Sequence, residues 1–373
     1  MAKPKAVYIA GTRQNEGKTT LALGLIGELV RRGLKVGYIK PVGQQYVESE
    51  GVKVDKDSLL LTRIFSLVTS AVGGVDARLA DTSPVAVDRY FTRKYIDRPE
   101  PEKLRRSILD AYERVSRGKD IVVIEGTGHA GVGAVIDLSN AQVAKLLDAP
   151  VVIISSGGIG KPVDEFVLNR ALFEREGVRI AGVVVNKILP DKIDSITDYL
   201  RRSLTYHGMN LLAVMPEARQ LSLLTLRQVA RDVGAQVVIG GDFLDNVIQR
   251  FIVGAMTAHK VLDYLGPGVL MITGGDRDDL LLAAVGMCSV NAAPERAMAG
   301  VILTGGVTPH ASVHELISRV CFPVLLHADD SYTVATHISN LVAKIQIQDT
   351  AKHQVAIRMV REHVDVDRLL GLL

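Results

Sequence analysis

Short apolar runs alternate with helix-length segments over the first 215 residues of the chain. The runs are rich in β-branched residues and comprise residues 6–10, 35–39, 121–124, 151–154, 180–185 and 211–214. Strands that are apolar throughout are buried on both faces, which is typical of a parallel sheet covered by helices. The pattern predicts a doubly wound, mostly parallel α/β domain at residues 1–215, with ligands beyond the carboxyl ends of its strands.

The rhythm of apolar and polar positions changes after Pro216. A helical stretch begins near Leu223, and shorter apolar runs follow at residues 236–239, 269–272, 301–303 and 324–325. These runs predict a second, smaller α/β domain at residues 216–330. We expect the remainder, residues 331–373, to form a C-terminal helical segment that packs on the second domain or on a partner.

Composition narrows the class of protein. Hydrophobic residues make up 47% of the chain and charged residues 23%, and no apolar run reaches the ~20 residues that a membrane span needs. The formal net charge is only +3, and no basic run is interleaved with aromatic residues, so we predict neither a membrane nor a nucleic-acid partner. The distant Cys288 and Cys321 favour reduced thiols and, without an export signal, a cytoplasmic location.

The segment between the first apolar run and the first amphipathic helix has the form of a phosphate-binding loop. It reads GTRQNEGKTT over residues 11–20, and five residues, one more than usual, separate its two glycines. A strand, glycines that admit phosphate oxygens, and a helix N-terminus occur in the required order. We predict binding of ATP and Mg²⁺, with Lys18 on the phosphates and Thr19 on the metal. The predicted nucleotide contacts in this loop are Gly11, Thr12, Asn15, Glu16, Gly17, Lys18, Thr19 and Thr20.

Polar residues after the other predicted strands supply further candidates. Lys40 is either a second phosphate or substrate anchor or a solvated loop lysine, and Asp57 either caps a helix or helps to hold magnesium. Glu125 directly follows the third run, where a carboxylate would orient magnesium. Asn186 either recognises the adenine base or is an ordinary turn residue. The predicted catalytic set is Lys18, Lys40 and Glu125, and the predicted metal ligands are Thr19, Asp57 and Glu125.

The second domain has its own candidate crevice. Asp276 and Arg277 follow one predicted strand, and Thr304, Gly305 and Gly306 follow the next. Carboxyl ends of neighbouring strands converge, so these residues predict a ligand site. A tight turn with a helix cap is the alternative interpretation.

Several of these segments together resemble dethiobiotin synthetase and related P-loop ATPases. The resemblance rests on the phosphate loop, on residues 37–42 (GYIKPV), on Glu125-Gly126 and on residues 185–187 (VNK), and covers roughly residues 4–215. It implies that Lys18 and Lys40 bind phosphates and substrate, that Thr19, Asp57 and Glu125 arrange magnesium, and that Asn186 faces adenine. Residues 127–133 (TGHAGVG) depart from the substrate loop of that family.

The second half resembles a DRTGG domain, through the segments around residues 274–279 (GGDRDD) and 303–306 (LTGG). The combination of the two domains is similar to the N-terminal regulatory half of large phosphate acetyltransferases, here without the transferase domain. It implies a nucleotide-responsive regulator of metabolism, a slow ATPase whose DRTGG domain engages an unidentified small molecule or protein. The alternative is an ATP-dependent ligase that activates a carboxylate or carbamate. The relatives also imply a homodimer.

Overall fold

A computed structural model describes residues 3–66, 78–290, 298–319 and 322–373. The chain divides into two compact units, one formed by Met1–Ala218 with Ile345–Leu373 and the other by Arg219–Lys344. The strands are β1 (Lys5–Gly11), β2 (Val36–Ile39), β3 (Val42–Gly43), β4 (Tyr46–Ser49), β5 (Val52–Asp55), β6 (Val85–Ala86), β7 (Ile121–Glu125), β8 (Val151–Ser156), β9 (Ile180–Ile188), β10 (Leu211–Pro216), β11 (Leu224–Thr225), β12 (Gln236–Ile239), β13 (Val247–Ile248), β14 (Arg250–Val253), β15 (Val269–Gly274), β16 (Gly300–Thr304) and β17 (Val324–Leu326). The helices are α1 (Lys18–Arg31), α2 (Lys56–Phe65), α3 (Phe91–Asp97), α4 (Pro101–Ser116), α5 (Asn140–Leu146), α6 (Gly160–Arg175), α7 (Ile193–Tyr206), α8 (Arg219–Ser222), α9 (Leu226–Val233), α10 (Ala258–Val261), α11 (Asp278–Val290), α12 (Ala311–Ile317), α13 (Ser331–Ser339), α14 (Thr350–His363) and α15 (Val366–Leu372).

The first unit is built on a six-stranded sheet in the order β10-β9-β8-β1-β7-β2, and every described pairing in it is parallel. The chain passes from β1 to β2 on one side and returns through β7 to β8 on the other, so the strand order reverses at β1. A crevice at the carboxyl end of the strand where the order reverses is the usual ligand site of such sheets. The predicted doubly wound α/β architecture is confirmed.

The strands of this sheet are buried because both faces are apolar. All four residues of β2 and all five of β7 are buried, as are six of the seven in β1. Residues from β1, β7, β8 and β9 join side chains of α4, α5, α6 and α7 in one apolar core. The continuous apolar runs therefore marked these strands correctly, since no solvated face interrupts them.

The second unit contains a five-stranded sheet in the order β12-β17-β16-β15-β14. Its strands are parallel except for β12, which is antiparallel to β17. Four of these strands correspond to predicted runs, whereas β14 was not among them. The sequence of β14 is RFIV, and its residues are half-buried or exposed, so it offers no buried apolar run to recognise.

The segment after residue 330 is divided between the two units. Helix α13 lies in the second unit, whereas α14 and α15 belong to the first, in contrast to the expectation that the whole segment packs on the second domain or on a partner. The contact that holds α14 is made by glycines of α1: a Cβ at Gly24 would lie 2.5 Å from the carbonyl oxygen of Ala356, and one at Gly27 would lie 2.6 Å from Cγ1 of Ile357. Small residues on α1 thus let the last long helix approach its backbone.

Among the described residues, no helix is both long and apolar enough to cross a membrane. The predicted thiol state of the two cysteines stays a prediction because Cys321 lies outside the described residues.

Candidate functional site

The phosphate loop joins the carboxyl end of β1 to the first turn of α1. Gly17 (φ 104°) and Asn15 (φ 61°) adopt left-handed conformations, and a Cβ at Gly17 would collide with the Asn186 amide nitrogen. The loop is tied to neighbouring segments by Thr12 N–H, which donates to the Ile154 carbonyl at 2.9 Å. Within the described chain, α1 has neither a side-chain cap nor an acidic residue in its first turn, which leaves its N-terminal amides for an anion.

Thr19 and Glu125 are brought together by this arrangement. The Thr19 hydroxyl donates to Glu125 Oε1 at 2.7 Å, and the hydroxyl of Tyr38 donates to Oε2 at 2.9 Å. Glu125 ends β7 and is only 1% exposed. Burial raises its pKa to about 7, reinforced by the charge of Asp57 and opposed by Lys40, by the Thr19 hydrogen bond and by Lys18. A hydroxyl and a carboxylate that are 106 positions apart in the sequence therefore meet beside the phosphate loop.

Lys18 begins α1 and folds back over its own loop. Its ammonium donates to the Arg13 carbonyl oxygen at 3.1 Å. Burial lowers its pKa, with Glu125 the strongest of the charges that oppose this shift. The ammonium thus rests on a backbone carbonyl of the loop, and its role as a phosphate ligand stays a prediction.

Lys40 is buried rather than solvated. Its ammonium donates to Asp55 Oδ1 at 2.8 Å and to Asp57. Burial lowers its pKa, but the charges of Asp57, Glu125 and Asp55 outweigh this effect, so the pKa lies above its ordinary value. Asp55, and not Asp57, caps α2, by accepting from Asp57 N–H at 2.9 Å. The capping alternative for Asp57 is therefore wrong, and its role as a magnesium ligand stays a prediction.

Asn186 lies under the phosphate loop. It is 4% exposed, and its amide nitrogen donates to the Glu16 carbonyl at 3.0 Å, while the adjacent Lys187 donates to the Asn15 carbonyl at 2.8 Å. These contacts support the loop from the carboxyl end of β9. The adenine-reading role of Asn186 stays a prediction.

Two polar residues on helices near the loop, Glu165 and Asn140, were not predicted. Glu165 on α6 accepts hydrogen bonds from the hydroxyls of Thr12 and Ser155, and Asn140 on α5 accepts one from the buried Tyr8 hydroxyl at 2.7 Å. Asn140 also donates to the carbonyls of Thr127 and His129, which fixes the turn that follows Glu125. One signal was available, since a threonine in place of a glycine at position 12 needs a partner for its hydroxyl.

The second-domain candidates also lie at neighbouring strand ends, after β15 and β16. Their polar groups have partners inside the unit: Thr304 donates to the Thr273 carbonyl at 3.0 Å, and the amides of Gly305 and Gly306 donate to the carbonyls of Asp329 and His327. The Arg277 guanidinium binds Asp279 and the Met256 carbonyl. This network fits the turn interpretation, while a ligand role for Asp276, Arg277, Thr304, Gly305 and Gly306 stays a prediction.

The order of strands and the loop geometry agree with a comparison to known families. A family described as "AAA domain" matches residues 5–224. The chain belongs to this family. A second family, described as "DRTGG domain", matches residues 228–341. The predicted combination of a P-loop domain with a DRTGG domain is therefore confirmed.

Curated relatives share this combination over most of the chain. A protein named phosphate acetyltransferase from Nitratidesulfovibrio vulgaris is 29% identical over 97% of the chain and 51% of its own length. One of the same name from Pseudomonas aeruginosa is 28% identical, again over 97% of the chain and 51% of its own length. The chain spans about half the length of these relatives, which agrees with the predicted resemblance to one half of such proteins.

A solved structure, the MinC:MinD cell division protein complex of Aquifex aeolicus, is similar at 14% identity with a TM-score of 0.37. The match covers 58% of this chain and 83% of that one, and it is too distant to support a functional argument.

Proposed function

We propose that the first domain binds ATP with magnesium and hydrolyses it slowly, and that nucleotide occupancy regulates metabolism through the DRTGG domain. The observation that carries this proposal is the 2.7 Å hydrogen bond between the Thr19 hydroxyl and Glu125. In P-loop proteins the hydroxyl after the loop lysine and a carboxylate from a neighbouring strand arrange the metal on the phosphates.

The donor set suits magnesium. Among the described residues, no cluster of three or more His, Cys, Asp or Glu side chains could hold a metal ion by itself. Thr19, Glu125 and Asp57 nevertheless offer the hard oxygen atoms that Mg²⁺ prefers, and this ion usually completes its coordination with water and phosphate oxygens. When bound, magnesium would neutralise charge on the outer phosphates.

The chain's own residues have separate tasks in this proposal. The amides of the loop and of α1 bind the phosphates, and Lys18 exchanges the Arg13 carbonyl for a phosphate oxygen. Tyr38 holds the Glu125 carboxylate in a fixed orientation through its buried hydroxyl. Phosphoryl transfer relies on positioning and charge stabilisation, so these fixed groups are sufficient for a slow hydrolysis.

The regulatory part of the proposal draws on the domain content. A DRTGG domain follows the P-loop domain in the sequence, and the curated relatives carry the name phosphate acetyltransferase. We propose that the regulated activity is the transfer of acetyl groups to phosphate. We also propose that the protein acts in the cytoplasm as a homodimer. Light scattering in the presence and absence of nucleotide measures the oligomer directly.

The binding step is tested with Lys18→Ala. Titration calorimetry with ATP and magnesium should show saturable binding to the wild type and an affinity at least 100-fold lower in the variant. The substitution removes both a charge-assisted hydrogen bond to phosphate and the positive charge of the ammonium. Lys103→Ala is the control, because this lysine is exposed on α4. Equal affinity in folded wild type and Lys18→Ala would refute the assignment.

The hydrolytic step is tested with Glu125→Gln. The variant should bind ATP nearly as well as the wild type but turn it over about 100-fold more slowly, because the carboxylate charge acts on the reaction more than on binding. Unchanged turnover would remove Glu125 from the proposed role.

An ATP-dependent ligase is the second candidate. The buried Lys40, whose charge acts on Glu125, is the observation that favours it, since an anionic substrate could pair with this ammonium. ATPase rates measured with a panel of small carboxylates and amines separate the two functions. Strong stimulation by one compound supports the ligase, and a slow rate that no compound changes supports the regulator.

A further inference from the structure

The Glu165 carboxylate connects three segments at the edge of the phosphate loop. Its side chain is 9% exposed, and Oε2 accepts hydrogen bonds from the hydroxyl of Thr12, in the loop, and from that of Ser155, at the end of β8, the latter at 2.7 Å. Oε1 lies 2.6 Å from Arg13 Nε. One side chain of α6 thus holds two consecutive residues of the loop and the end of the neighbouring strand.

Thr12 stands where the common phosphate-loop pattern has its first glycine. It is 4% exposed, and its backbone N–H donates to the Ile154 carbonyl of β8. Its hydroxyl, in turn, has Glu165 and Ser155 as partners. In this chain the side chain therefore gives the loop a second anchor, in addition to the backbone hydrogen bond that a glycine would also make.

Arg13 links Glu165 to Lys18. Its guanidinium is 65% exposed on the solvent side but is bound to Glu165, while its carbonyl oxygen accepts the Lys18 ammonium at 3.1 Å. Fixing the Arg13 side chain restrains the orientation of that carbonyl. Arg13 is therefore held through its side chain by Glu165 and through its carbonyl oxygen by Lys18.

Glu165 has the charge that this arrangement needs. Burial works to raise its pKa, but the hydrogen bonds from Thr12 and Ser155 and the charges of Lys161 and Arg13 outweigh burial and hold the pKa below its ordinary value. The carboxylate is therefore ionised at neutral pH. Its Oε2 accepts hydrogen bonds from the two hydroxyls, and its Oε1 forms an ion pair with Arg13.

We propose that Glu165 is a positioning residue that shapes the phosphate loop before nucleotide arrives, by anchoring Thr12 and Arg13 to α6. The preformed loop already aims its amides at the phosphates, so binding does not have to order it, which favours affinity. The identity of the ligand rests on the proposed function, whereas the order of the empty loop does not.

The test uses four variants. Thr12→Val removes the hydroxyl at nearly constant volume, and Thr12→Ser restores it. Glu165→Gln keeps an oxygen for the hydroxyls but turns an amide N–H towards Arg13, a donor facing a donor. The control is Glu28→Gln, since Glu28 is another buried glutamate and is bound by arginines at the far end of α1.

The expected readouts separate positioning from general stability. In nucleotide-free protein, amide hydrogen exchange over residues 11–17 should rise about tenfold in Thr12→Val and Glu165→Gln, and affinity for ATP with magnesium should fall by about the same factor, the loss typical of one hydrogen bond to a charged group. Turnover at saturating ATP should stay unchanged in Glu165→Gln, because Glu165 acts on the loop and not on the reacting phosphate. Thr12→Ser should resemble the wild type, and Glu28→Gln should lower the unfolding midpoint while leaving loop exchange and affinity unchanged.

A double variant tests whether the contacts act as one anchor. Thr12→Val with Glu165→Gln should exchange and bind ATP about as the weaker-binding single variant does, because Thr12 and Arg13 are consecutive and release of either one frees the same short segment of the loop. Wild-type exchange in both single variants, fully multiplicative losses in the double variant, or equal effects of Glu28→Gln would each overturn the proposal. Failure of the wild type to bind ATP would refute the proposed function, and the exchange measurements would still decide the role of Glu165.

Discussion

The contact between α1 and α14 predicts that Gly24→Ala destabilises the first unit. A Cβ built at Gly24 lies 2.5 Å from the Ala356 carbonyl oxygen and 2.9 Å from Val360 Cβ, with a Val360 methyl closer still. Cβ atoms essentially never approach other atoms to less than 3.0 Å. The nearest polar atom belongs to the backbone, so relief requires α14 to move away from α1.

The size of the effect follows from two opposing terms. Ordinary contact at 3.4 Å or more requires a shift of about 0.9 Å, the difference between 3.4 and 2.5 Å, and overpacking of this kind costs about 1–3 kcal/mol. Alanine is a better helix former than glycine by about 1 kcal/mol, which offsets part of this cost. Because the clash involves backbone, we place overpacking in the upper part of its range and expect a net loss of about 1–2 kcal/mol.

Two further glycines supply the comparison. At Gly27 the neighbours are the branches of the half-buried Ile357, which can rotate, so Gly27→Ala should cost less than Gly24→Ala. At Gly371, in α15, an added Cβ meets nothing within 4 Å, so Gly371→Ala should be neutral or stabilising by up to about 1 kcal/mol. Urea unfolding followed by circular dichroism, compared at equal slope, measures all three. A Gly24→Ala variant as stable as Gly371→Ala would refute the packing of α14 on α1.

Two other side chains give predictions of stability. Glu28 is 1% exposed, and its pKa is lowered to about 2, mainly by its hydrogen bond from Arg31, so the stability it contributes is fully present above its ordinary pKa of 4.5 and is lost as the pH falls towards 2. Over that pH interval the wild type should lose about 1–3 kcal/mol more unfolding free energy than Glu28→Gln, measured by urea unfolding at a series of acid pH values. Parallel curves for the two proteins would contradict this. Asn140→Ala should cost about 2–4 kcal/mol, because the buried Tyr8 hydroxyl and the Thr127 amide lose their acceptor, and a loss below about 0.5 kcal/mol in the same assay would show that these groups find other partners.

The parallel sheet was predictable because it is buried on both faces. Each predicted run of the first domain lies within an observed strand or overlaps it closely, and β14 was missed because its side chains are only partly buried. The phosphate loop was predictable because its signal is local in the sequence. A glycine-rich turn between a buried strand and a helix is a local pattern, and the topology of a parallel sheet then brings Glu125, at the end of another strand, to the same edge.

Side chains on helices were harder to foresee because their direction depends on how each helix packs. Asn140 and Glu165 belong to the first two turns of α5 and α6, and nothing in their local sequence marks them as neighbours of the phosphate loop. In a βαβ unit, however, the helix that leaves the carboxyl end of a strand begins at the same edge as the ligand site. A polar residue in those first turns is thus either exposed, capping the helix, or directed at the loops that form the site. Both residues are buried, and both have partners in segments that contact or follow the phosphate-binding strand, so the third alternative applies to them. The inference extends to other doubly wound domains: where a loop position that is commonly glycine carries a hydroxyl, its partner should be sought in the first turns of the neighbouring helices.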